Sequence, residues 1–511
     1  MRSRASIGWL IGILAAAVAV GMGELVAAFL RPAAAPVIAV GNRIITLTPE
    51  SAKRPAIAAA GTSDKTLLII GIYLLLAVLG ALVGAAALRN LYYGLGGIAV
   101  IGAFGSYCAL TANASRGTDV LPQLIGTAAA MVALVVLVRV SREWSAEPSP
   151  GDPLLADRRL FLQGTAATAA LAAVAGFGGR AAQHARFDVA GDRATVKLPA
   201  ASGEHTVPRG ADLGKSPVPW RTPNSAFYRI DTALAVPQIA SSSWQLRIHG
   251  LVDHPITLTY RQLLARPLVD RWITLCCVSN EVGGDLVSNS LFRGALLADL
   301  LREAGVHADC DQLLMSSSDG MTIGAPTKVV MDGRQSLLAV GMNGAPLPLE
   351  HGYPARVVIP GLYGYVSACK WVVDIEATTF DRRQAYWVQG GWVAQPTIRL
   401  SSRIDRPSPQ EVVSVGDTVA VAGVAWDQHV GVSKVEVQVN DGPWQAARLA
   451  TVPSTDTWRQ WVFPWTPQKS GSYRLRVRAT DAGGTVQDTQ VRDVFPSGAS
   501  GLHAVTVRAV I

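Results

Sequence analysis

Two adjacent cysteines in the middle of the chain lie at a position where a thiol could act as a nucleophile or a metal ligand. Cys276 and Cys277 follow a strand-like run, 272–275, and precede Asn280 and Gly283, which favour tight backbone turns. A thiolate is both a nucleophile and a soft metal ligand, so Cys277 at the end of a strand is a candidate for chemistry. The alternative is a buried small apolar side chain, which is the commoner fate of a free cysteine.

Three other segments concentrate residues that could bind a charged group, namely 224–231, 342–356 and 357–371. The last contains a turn rich in glycine and serine before Lys370. Such a turn offers backbone N–H groups beside a positive charge, which suits a phosphate. Each residue also has a structural interpretation when it is taken singly, and a lone His351 would more often be a buried structural histidine.

These segments belong to a chain whose first third is unusually apolar. Of its 511 residues, 50% are hydrophobic and 16% are charged, and the long apolar runs fall within residues 1–180. Runs of this length cross about 30 Å of hydrocarbon as helices. We therefore predict a transmembrane region over 1–181, with five helices near 7–30, 66–88, 92–112, 119–139 and 160–179.

Positive charges set the expected orientation of this region. The net charge is +8, and arginines flank the apolar runs, among them Arg2 and Arg4 before the first and Arg139 after the fourth. The positive-inside rule then starts the chain in the cytoplasm, and five spans leave its soluble part outside, in a multi-pass plasma-membrane protein. Arg158-Arg159 fits either a twin-arginine export signal or two ordinary inside charges. The arginines lack the aromatic interleaving of a nucleic-acid surface, which excludes that partner.

The positions of the histidines and of one carboxylate bear on which cofactors and functions the apolar region could have. All eight histidines follow that region and the chain has no CxxCH motif, so we expect no haem, which needs axial histidines. Glu24 lies near the end of the first span, and an intramembrane carboxylate is a functional candidate by default. An interfacial residue that faces the bundle is an equally good interpretation.

The remainder of the chain has ordinary globular composition and changes character near residue 403. Short strand-like runs mixed with a few helices, such as 296–304 before Gly305, predict an α+β domain over 182–402. Over 403–511 the pattern is all-β, with alternating polar and apolar residues in three runs, 418–423, 434–440 and 473–479. Strands spaced in this way predict an immunoglobulin-like sandwich.

Taken together and in order, the segments 224–231, 271–284 and 343–371 resemble the sulfite oxidase-like molybdopterin enzymes. The resemblance covers about 215–511, and its sandwich is similar to the dimerisation domain of that family. It implies one molybdenum–molybdopterin cofactor per chain, with Cys277 as the protein ligand to the metal and Cys276 as a bystander. The other site residues that it implies are the catalytic Arg229 and the cofactor-binding Asn224, Phe227, Tyr228, His351, Arg356, Ser367, Ala368, Cys369 and Lys370.

Departures from the family pattern bear on the substrate. Sulfite is a small dianion, and sulfite oxidases surround the metal with arginines and a tyrosine. Glu281 and Val282 stand where such an enzyme has arginines, Val340 stands where it has the tyrosine, and 495–501 contains no arginine. Because lost cations and an added carboxylate weaken anion binding in a desolvated pocket, a neutral S-oxide, N-oxide or organic substrate is expected rather than sulfite.

The sequence thus predicts a membrane-anchored molybdenum oxidoreductase outside the cytoplasm. It would perform oxygen-atom transfer or related two-electron chemistry on a small or organic substrate of the S-oxide or N-oxide type. Its electrons would pass to a separate protein partner or to quinone, and 403–511 would support a homodimer. Two alternatives stay open. One is a sulfite dehydrogenase or oxidase with a basic pocket rebuilt from other residues, and the other is a non-catalytic membrane receptor or adhesion protein that uses the sandwich.

Overall fold

The computed structural model of the protein describes residues 4–49, 52, 63–144, 154–186, 189–203 and 205–511. Arg2, one of the charges used above to orient the first helix, lies outside the described residues. The chain divides into two compact units. One contains the residues up to 188 together with 232–238, and the other contains 189–231 and 239–511.

The first unit is a bundle of apolar helices. They are α1 (Arg4–Leu30), α2 (Pro36–Leu47), α3 (Asp64–Arg89), α4 (Leu91–Leu110), α5 (Leu121–Trp144) and α6 (Leu154–Arg186). Within the described ranges, five helices are long and apolar enough to cross a membrane, in the positions that the sequence predicts. The sequence patterns do not indicate α2, which has only 12 residues and lies in a segment with positive charges.

Small residues allow the helices of the first unit to approach closely. α1 packs against α3, α5 and α6. A Cβ atom at Gly12 of α1 would overlap the Gly80 carbonyl of α3, and one at Gly21 would meet the Ala172 carbonyl of α6. Contacts through small residues are typical of helices that associate in lipid, where apolar burial alone does not drive association.

The second unit begins with an α+β region. Its strands are β1 (Ser202–Gly203), β2 (Gln245–Gly250), β3 (Ile256–Thr259), β4 (Val269–Cys276), β5 (Val287–Leu296), β6 (Gln312–Ser317), β7 (Thr322–Pro326), β8 (Leu337–Met342), β9 (Ala345–Pro346), β10 (Arg356–Val358) and β11 (Val372–Thr378). One sheet has the order β1-β4-β5-β8-β10 with β9 beside β8, and the other has the order β3-β2-β11-β6-β7. Parallel and antiparallel pairs both occur, as expected of an α+β fold.

Short helices cover and connect these sheets. They are α7 (Val189–Thr195), α8 (Tyr260–Leu264), α9 (Leu297–Ala304), α10 (Thr327–Met331), α11 (Gly364–Ser367) and α12 (Tyr386–Gln389). The predicted helix over 296–304 corresponds to α9, which ends at Gly305 with φ +66°. Glycine adopts this left-handed conformation without the steric cost that a Cβ atom brings.

The C-terminal part of the second unit is an immunoglobulin-like sandwich, as predicted. Its strands are β12 (Ser401–Arg406), β13 (Val412–Ser414), β14 (Val419–Trp426), β15 (Val432–Val439), β16 (Gln445–Ala446), β17 (Arg448–Leu449), β18 (Arg459–Trp465), β19 (Gly471–Asp481) and β20 (Ala504–Val510). They form two sheets, β12-β14-β18-β17 and β13-β20-β19-β15-β16. The inward-facing residues of both sheets, among them Val435, Trp461 and Val477, form its apolar core.

Buried hydrogen bonds join the sandwich to the strand that carries the cysteines. Trp458 N donates to Thr274 Oγ1 at 2.7 Å, and Thr274 N donates to the Asp456 carbonyl at 3.0 Å. Trp220 and Trp458 each donate the indole N–H to the backbone carbonyl of the other. The sandwich therefore fixes the position of β4 within this unit.

Asp427, directly after β14, makes the sandwich sensitive to pH. The residue is buried, and that burial, together with the nearby charge of Asp481, raises the pKa of the Asp427 carboxyl from 3.8 to about 7. The unfolded chain therefore releases this proton at lower pH than the folded chain does. The contribution is a destabilisation that is absent below about pH 4 and grows until about pH 7.

We expect Asp427→Asn to raise the free energy of unfolding by about 2–4 kcal/mol at pH 8 and to leave it nearly unchanged at pH 4. Denaturant unfolding of the full-length wild type and variant at pH 4, 6 and 8 measures this difference. A variant that is less stable than wild type at pH 8 would contradict the assignment of a buried carboxylate whose charge destabilises the fold.

Candidate active site

Cys277 stands at the exit of β4, at the start of a tight loop that returns the chain to β5. Its backbone N–H donates to the Leu286 carbonyl at 2.9 Å, which closes the loop at its base. Inside the loop, Asn280 Oδ1 accepts a hydrogen bond from Leu286 N at 2.8 Å, and Gly283 has φ +80°. The asparagine and glycine noted in the sequence are thus the residues that form the turn.

The sandwich holds this loop from the other side. Arg403 Nη1 donates to the Gly284 carbonyl at 2.6 Å. His503 packs so closely that a Cβ atom at Gly283 would overlap its ring. The position therefore needs glycine on account of both its backbone angle and the lack of space. Sequence reasoning missed Arg403 and His503, because they lie more than 100 residues away from the loop along the chain.

The thiol of Cys277 is buried, at 8% exposure, and is surrounded by hydrogen-bond donors. Burial raises the pKa of this thiol, and hydrogen bonds from the N–H and hydroxyl of Ser279 and the N–H of Val278 act in the opposite direction. Donors directed at a sulfur support a metal-bound thiolate, because outer hydrogen bonds tune the charge of a ligand. A bound cation would itself favour the thiolate form.

Cys276 lies in a different environment. Its side chain is buried in an apolar cluster with Trp220, Trp272 and Val287. The sulfur lies 3.4 Å from the Cys277 carbonyl oxygen. Its surroundings are therefore those of a small apolar residue in a core.

Arg356 is a buried cation without a carboxylate partner among the described residues. It is 4% exposed, and burial lowers the pKa of its guanidinium to about 10, so it stays charged at neutral pH. Nη1 donates to the His351 carbonyl at 3.2 Å, and Nη2 lies 3.5 Å from the Ala368 carbonyl, while Nε has no hydrogen-bond partner in the described part of the chain. A charge enclosed in this way is costly unless an anion compensates it.

Two neighbouring cations share one carboxylate that the sequence reasoning overlooked. Asp231 Oδ2 lies 2.9 Å from Lys370 Nζ and 2.9 Å from Arg229 Nε. Burial lowers the pKa of Lys370 to about 8, although the charge of Asp231 acts against this shift. Together with Arg356, Lys370 and Arg229 give this site three positive charges against the one carboxylate of Asp231. The site is therefore net positive and suits an anionic group.

Aromatic residues connect these cations to the cysteine loop. Phe227 stacks on Tyr228 with ring centroids 5.3 Å apart and meets the His351 ring edge-on at 5.3 Å. Burial raises the pKa of Tyr228, with further contributions from Cys277 and Cys276 in the same direction and from Arg356 in the other. The Tyr228 hydroxyl therefore lies within the electrostatic reach of both the thiols and the guanidinium.

His351 is neutral at the centre of this group. Burial is the main cause that lowers the pKa of its imidazole to about 4, and the charges of Arg356 and Lys370 add to the shift. Its Nε2 lies 3.2 Å from the Asn224 carbonyl oxygen, which a protonated Nε2 can donate to. The neutral ring then keeps Nδ1 as an acceptor, so the site offers both donors and an acceptor.

Asn343, which was not among the predicted site residues, fixes Asn224. Its Nδ2 donates to Asn224 Oδ1 at 2.8 Å and to the Thr222 carbonyl at 2.9 Å. Its φ of +52° is a left-handed conformation that asparagine tolerates better than most residues. Both asparagines line a surface cleft of about 640 Å³ together with Arg221 and Ser225. The Asn343-Gly344 pair was the signal in the sequence that could have marked this turn.

Several predicted site residues have side chains occupied elsewhere. The Ser367 hydroxyl donates within its own turn, 3.0 Å from the carbonyls of Leu362 and Tyr363. Cys369 and Val340 are both fully buried in the main apolar core. Packing in the core therefore explains the valine at position 340, which had been compared with a pocket tyrosine. Glu281 is exposed. The loop 367–370 thus contributes the Ala368 carbonyl and the Lys370 side chain to the cluster around Arg356.

The donor set fits a metal group that brings its own ligands. Among the described residues no cluster of three or more His, Cys, Asp or Glu side chains could hold a metal ion. One buried thiol with donors around it, beside a buried guanidinium whose Nε is orphaned, instead matches a soft metal attached to an anionic organic cofactor. These residues are therefore compatible with the cofactor that the sequence resemblance implies.

Comparison with known proteins agrees with this chemistry. Residues 233–387 match the family model described as an oxidoreductase molybdopterin binding domain, and 401–488 match a bacterial Ig domain. The chain is 32% identical over 151 residues to the uncharacterized oxidoreductase YuiH of Bacillus subtilis, covering 30% of this chain and 73% of that protein. It is 29% identical over 323 residues to human mitochondrial sulfite oxidase, covering 54% and 58%, respectively.

A solved structure, the sulfane dehydrogenase SoxCD from Paracoccus pantotrophus, is similar with 23% identity and a TM-score of 0.48. That similarity covers 61% of this chain and 93% of the solved chain. The chain thus spans 73% of the length of YuiH but 58% of the length of human sulfite oxidase, which is less than two thirds.

Proposed function

Because the chain belongs to the sulfite oxidase-like molybdopterin oxidoreductases, we propose that it is a membrane-anchored enzyme that acts on an S-oxide or N-oxide outside the cytoplasm. The five apolar helices support the anchoring, and the positive charges at their ends support the orientation. The sandwich, which matches a bacterial Ig domain, is consistent with an extracytoplasmic position. Its role as a homodimer interface is a further part of this proposal.

In this proposal Cys277 ligates molybdenum, and the cluster around Arg356 binds the anionic part of the pterin. When bound, the cofactor supplies two-electron redox chemistry with transfer of one oxygen atom. The protein contributes the thiolate, the buried Arg356 charge, and hydrogen-bonding groups from His351 and Asn224. Arg229, which pairs with Asp231 and remains partly exposed, is positioned to contact a substrate or the cofactor rim.

The single observation that favours a neutral substrate is the charge of the loop after Cys277. That loop exposes Glu281, and Arg403, the arginine that holds it, is paired with the Asp405 carboxylate at 2.5 Å. A carboxylate and a neutralised arginine give a small dianion little compensation for desolvation. An S-oxide or N-oxide carries no net charge and needs only hydrogen-bond donors.

Arg399 favours sulfite as the second candidate. Its backbone N–H donates to the Tyr363 hydroxyl at 3.3 Å, and its guanidinium donates to Ser497 Oγ at 2.8 Å, with no ion pair among the described residues. The charges of Cys276 and Cys277 both act on Tyr363. Arg399, which stands next to a residue coupled to both thiols and has no paired carboxylate among the described residues, is therefore the candidate cation for a rebuilt basic pocket.

The full-length enzyme, purified from a host that makes the molybdenum cofactor, distinguishes these substrates. We expect about one molybdenum per chain and reduced-dye turnover with S-oxides or N-oxides at a kcat/KM at least about 100-fold above that for sulfite oxidation, equivalent to about 2.7 kcal/mol. Metal analysis and a dye-linked panel of both substrate classes measure this. Sulfite as the best substrate would overturn the proposal.

Arg399→Met is the matched variant for the same assay. An enzyme for neutral substrates should keep its kcat/KM within about threefold, since no anion needs the guanidinium. A loss confined to sulfite turnover would instead assign Arg399 to an anion pocket.

A further inference from the structure

A polar cluster lies among the apolar helices of the first unit. Glu24 of α1 is buried, and its carboxylate accepts a hydrogen bond from Gln183 Nε2 of α6 at 3.2 Å. Arg180 Nη2 of α6 lies 3.8 Å from the other carboxylate oxygen and donates to the hydroxyl of Tyr73 in α3. Three helices thus direct charged or polar side chains to one point.

The position of the cluster is expensive for a membrane protein. Glu24 precedes the end of α1 at Leu30 by six residues, which corresponds to about 9 Å along the helix axis. Arg180 directly follows the predicted fifth span, 160–179, and precedes the end of α6 at Arg186 by six residues. Ionisable residues that are buried among membrane helices are rare, and they often mark substrate, ion or proton pathways.

The geometry is too open for a simple clamp between helices. An ion pair that only stabilised the bundle would be short and enclosed, because desolvation otherwise exceeds the Coulomb gain. Here the nearest Arg180–Glu24 separation is 3.8 Å, and half of the Arg180 side chain is exposed. The carboxylate and guanidinium therefore retain bonding capacity for a ligand.

An exposed apolar face of α1 between α3 and α6, called the groove below, leads to this cluster. Trp9 and Ile13 are 51% and 40% exposed, and Glu24 lies on the same helical face, because 9, 13, 17, 20 and 24 follow at intervals of three and four residues. α3 and α6 pack on opposite sides of this face, through Gly12 and Gly21, respectively. The Arg180–Tyr73 hydrogen bond joins those two helices at the Glu24 end of the groove.

We propose that the groove and cluster bind a quinol, with the ring at Glu24, Arg180 and Gln183 and the isoprenoid tail along Trp9 and Ile13. A quinol oxygen both donates and accepts hydrogen bonds. Glu24 accepts from one hydroxyl, while Arg180 and Gln183 donate to ring oxygens. A phospholipid phosphate fits less well, since the Glu24 carboxylate repels an anion.

The site would supply the electrons for the proposed S-oxide reduction, and this inference therefore rests on that function. Both quinol O–H bonds break, and the ring loses two electrons and becomes a quinone. The S–O bond of the substrate breaks as it accepts those two electrons, and two protons complete a molecule of water. Glu24 takes the first proton from the quinol hydroxyl and passes it toward the end of α1. The balance is quinol plus S-oxide giving quinone, sulfide and water.

The test compares two electron donors on the full-length enzyme in detergent with added lipid. Decylubiquinol should drive S-oxide reduction in wild type, and Glu24→Gln should lower the kcat/KM for that quinol about 100-fold, because the proton acceptor is lost. Turnover with a reduced dye, which does not use the groove, should remain within about twofold. Equal loss with both donors would overturn the quinol site.

A pair of tyrosines provides the matched control. Tyr73 and Tyr107 each accept a hydrogen bond from an arginine, Arg180 and Arg43, respectively, but Tyr107 belongs to α4 and lies outside the groove. Tyr73→Phe should reduce quinol-driven turnover about fivefold to tenfold, and Tyr107→Phe should leave it unchanged. The same loss in both variants would show a general effect on the bundle and would contradict the proposal.

Photolabelling separates this inference from the proposed function. An azido-quinone should label peptides of α1, α3 or α6 in competition with decylubiquinone, whether or not the enzyme reduces any S-oxide. Label that phospholipid displaces and quinone does not would assign the groove to lipid and overturn the proposal. Specific labelling without dye-driven S-oxide turnover would contradict the proposed substrate and would still support the quinone site.

Discussion

Replacement of Cys277 by serine is expected to abolish turnover while the cofactor stays bound. The hydroxyl is a harder and far less acidic ligand than the thiol, so the metal loses the soft donor that the buried loop provides. Loss of outer-sphere partners alone typically costs about 10- to 100-fold, and loss of the ligand itself should lower kcat at least 100-fold. Retention of the pterin is expected because Arg356, His351 and Asn224 lie outside the substitution. Metal content, pterin released on denaturation and dye-linked turnover measure the three quantities.

Cys276→Ser supplies the control, since it makes the same chemical change one residue earlier. That side chain belongs to an apolar cluster with Trp220 and Trp272. We expect activity per bound molybdenum to stay within about threefold of wild type and stability to fall by about 1–2 kcal/mol, because a hydroxyl is introduced into a core. Full activity of Cys277→Ser, or a loss of activity in Cys276→Ser at normal metal content, would show that Cys277 is not the ligand.

The helices and strands of this fold could be predicted from the sequence where the hydrophobic period and the turn residues indicated the same element. The alternating runs 418–423 and 434–440 correspond to β14 and β15, and the amphipathic run 296–304 corresponds to α9. Apolar length alone predicted the five long helices. α2 escaped because a 12-residue helix with an arginine falls below every length criterion for a membrane span.

The site was only partly readable, because its supporting contacts are distant in sequence. Cys277 and Arg356 belong to local motifs and could be singled out. Asp231, Asn343 and Arg403 act through partners more than 100 residues away, such as Lys370, Asn224 and Gly284. A single sequence does not reveal such pairs, since neither period nor propensity depends on them.

Sequence also misjudged what some residues report. Val340 was compared with a pocket tyrosine, yet it lies fully buried in the main core, where volume and shape select the side chain. Arg399, which no motif marked, is a cation without an ion pair among the described residues, and its guanidinium donates to Ser497 in the segment where no arginine was found. The charge of a pocket is a property of the folded surface, so residues distant in sequence contribute to it as well as those of the loop after Cys277.

Arg356→Met is expected to stabilise the cofactor-free protein while it weakens cofactor retention. The guanidinium is buried, charged and without a carboxylate among the described residues, and its Nε is unpartnered. Replacement of such a charge by an apolar side chain of similar length should raise the free energy of unfolding by about 1–3 kcal/mol. The holoenzyme should show the opposite effect, since the anionic group that compensates the charge loses its partner, and we expect cofactor occupancy to fall at least about tenfold.

Arg403→Met distinguishes this pattern from a general effect of removing buried arginines. Arg403 is also buried, but Asp405 pairs with it at 2.5 Å and is itself enclosed. Its loss leaves a carboxylate unpaired, so Arg403→Met should destabilise both forms by about 3–5 kcal/mol. Unfolding of full-length protein made with and without cofactor supply, together with molybdenum content, gives both comparisons. If cofactor-free Arg356→Met lost stability as Arg403→Met does, Arg356 would be a structural residue with an internal partner, and the anion site would have to lie elsewhere. A rise in stability coupled to a loss of cofactor is the signature of a charge that the fold keeps for a ligand, since no intramolecular contact would produce both changes.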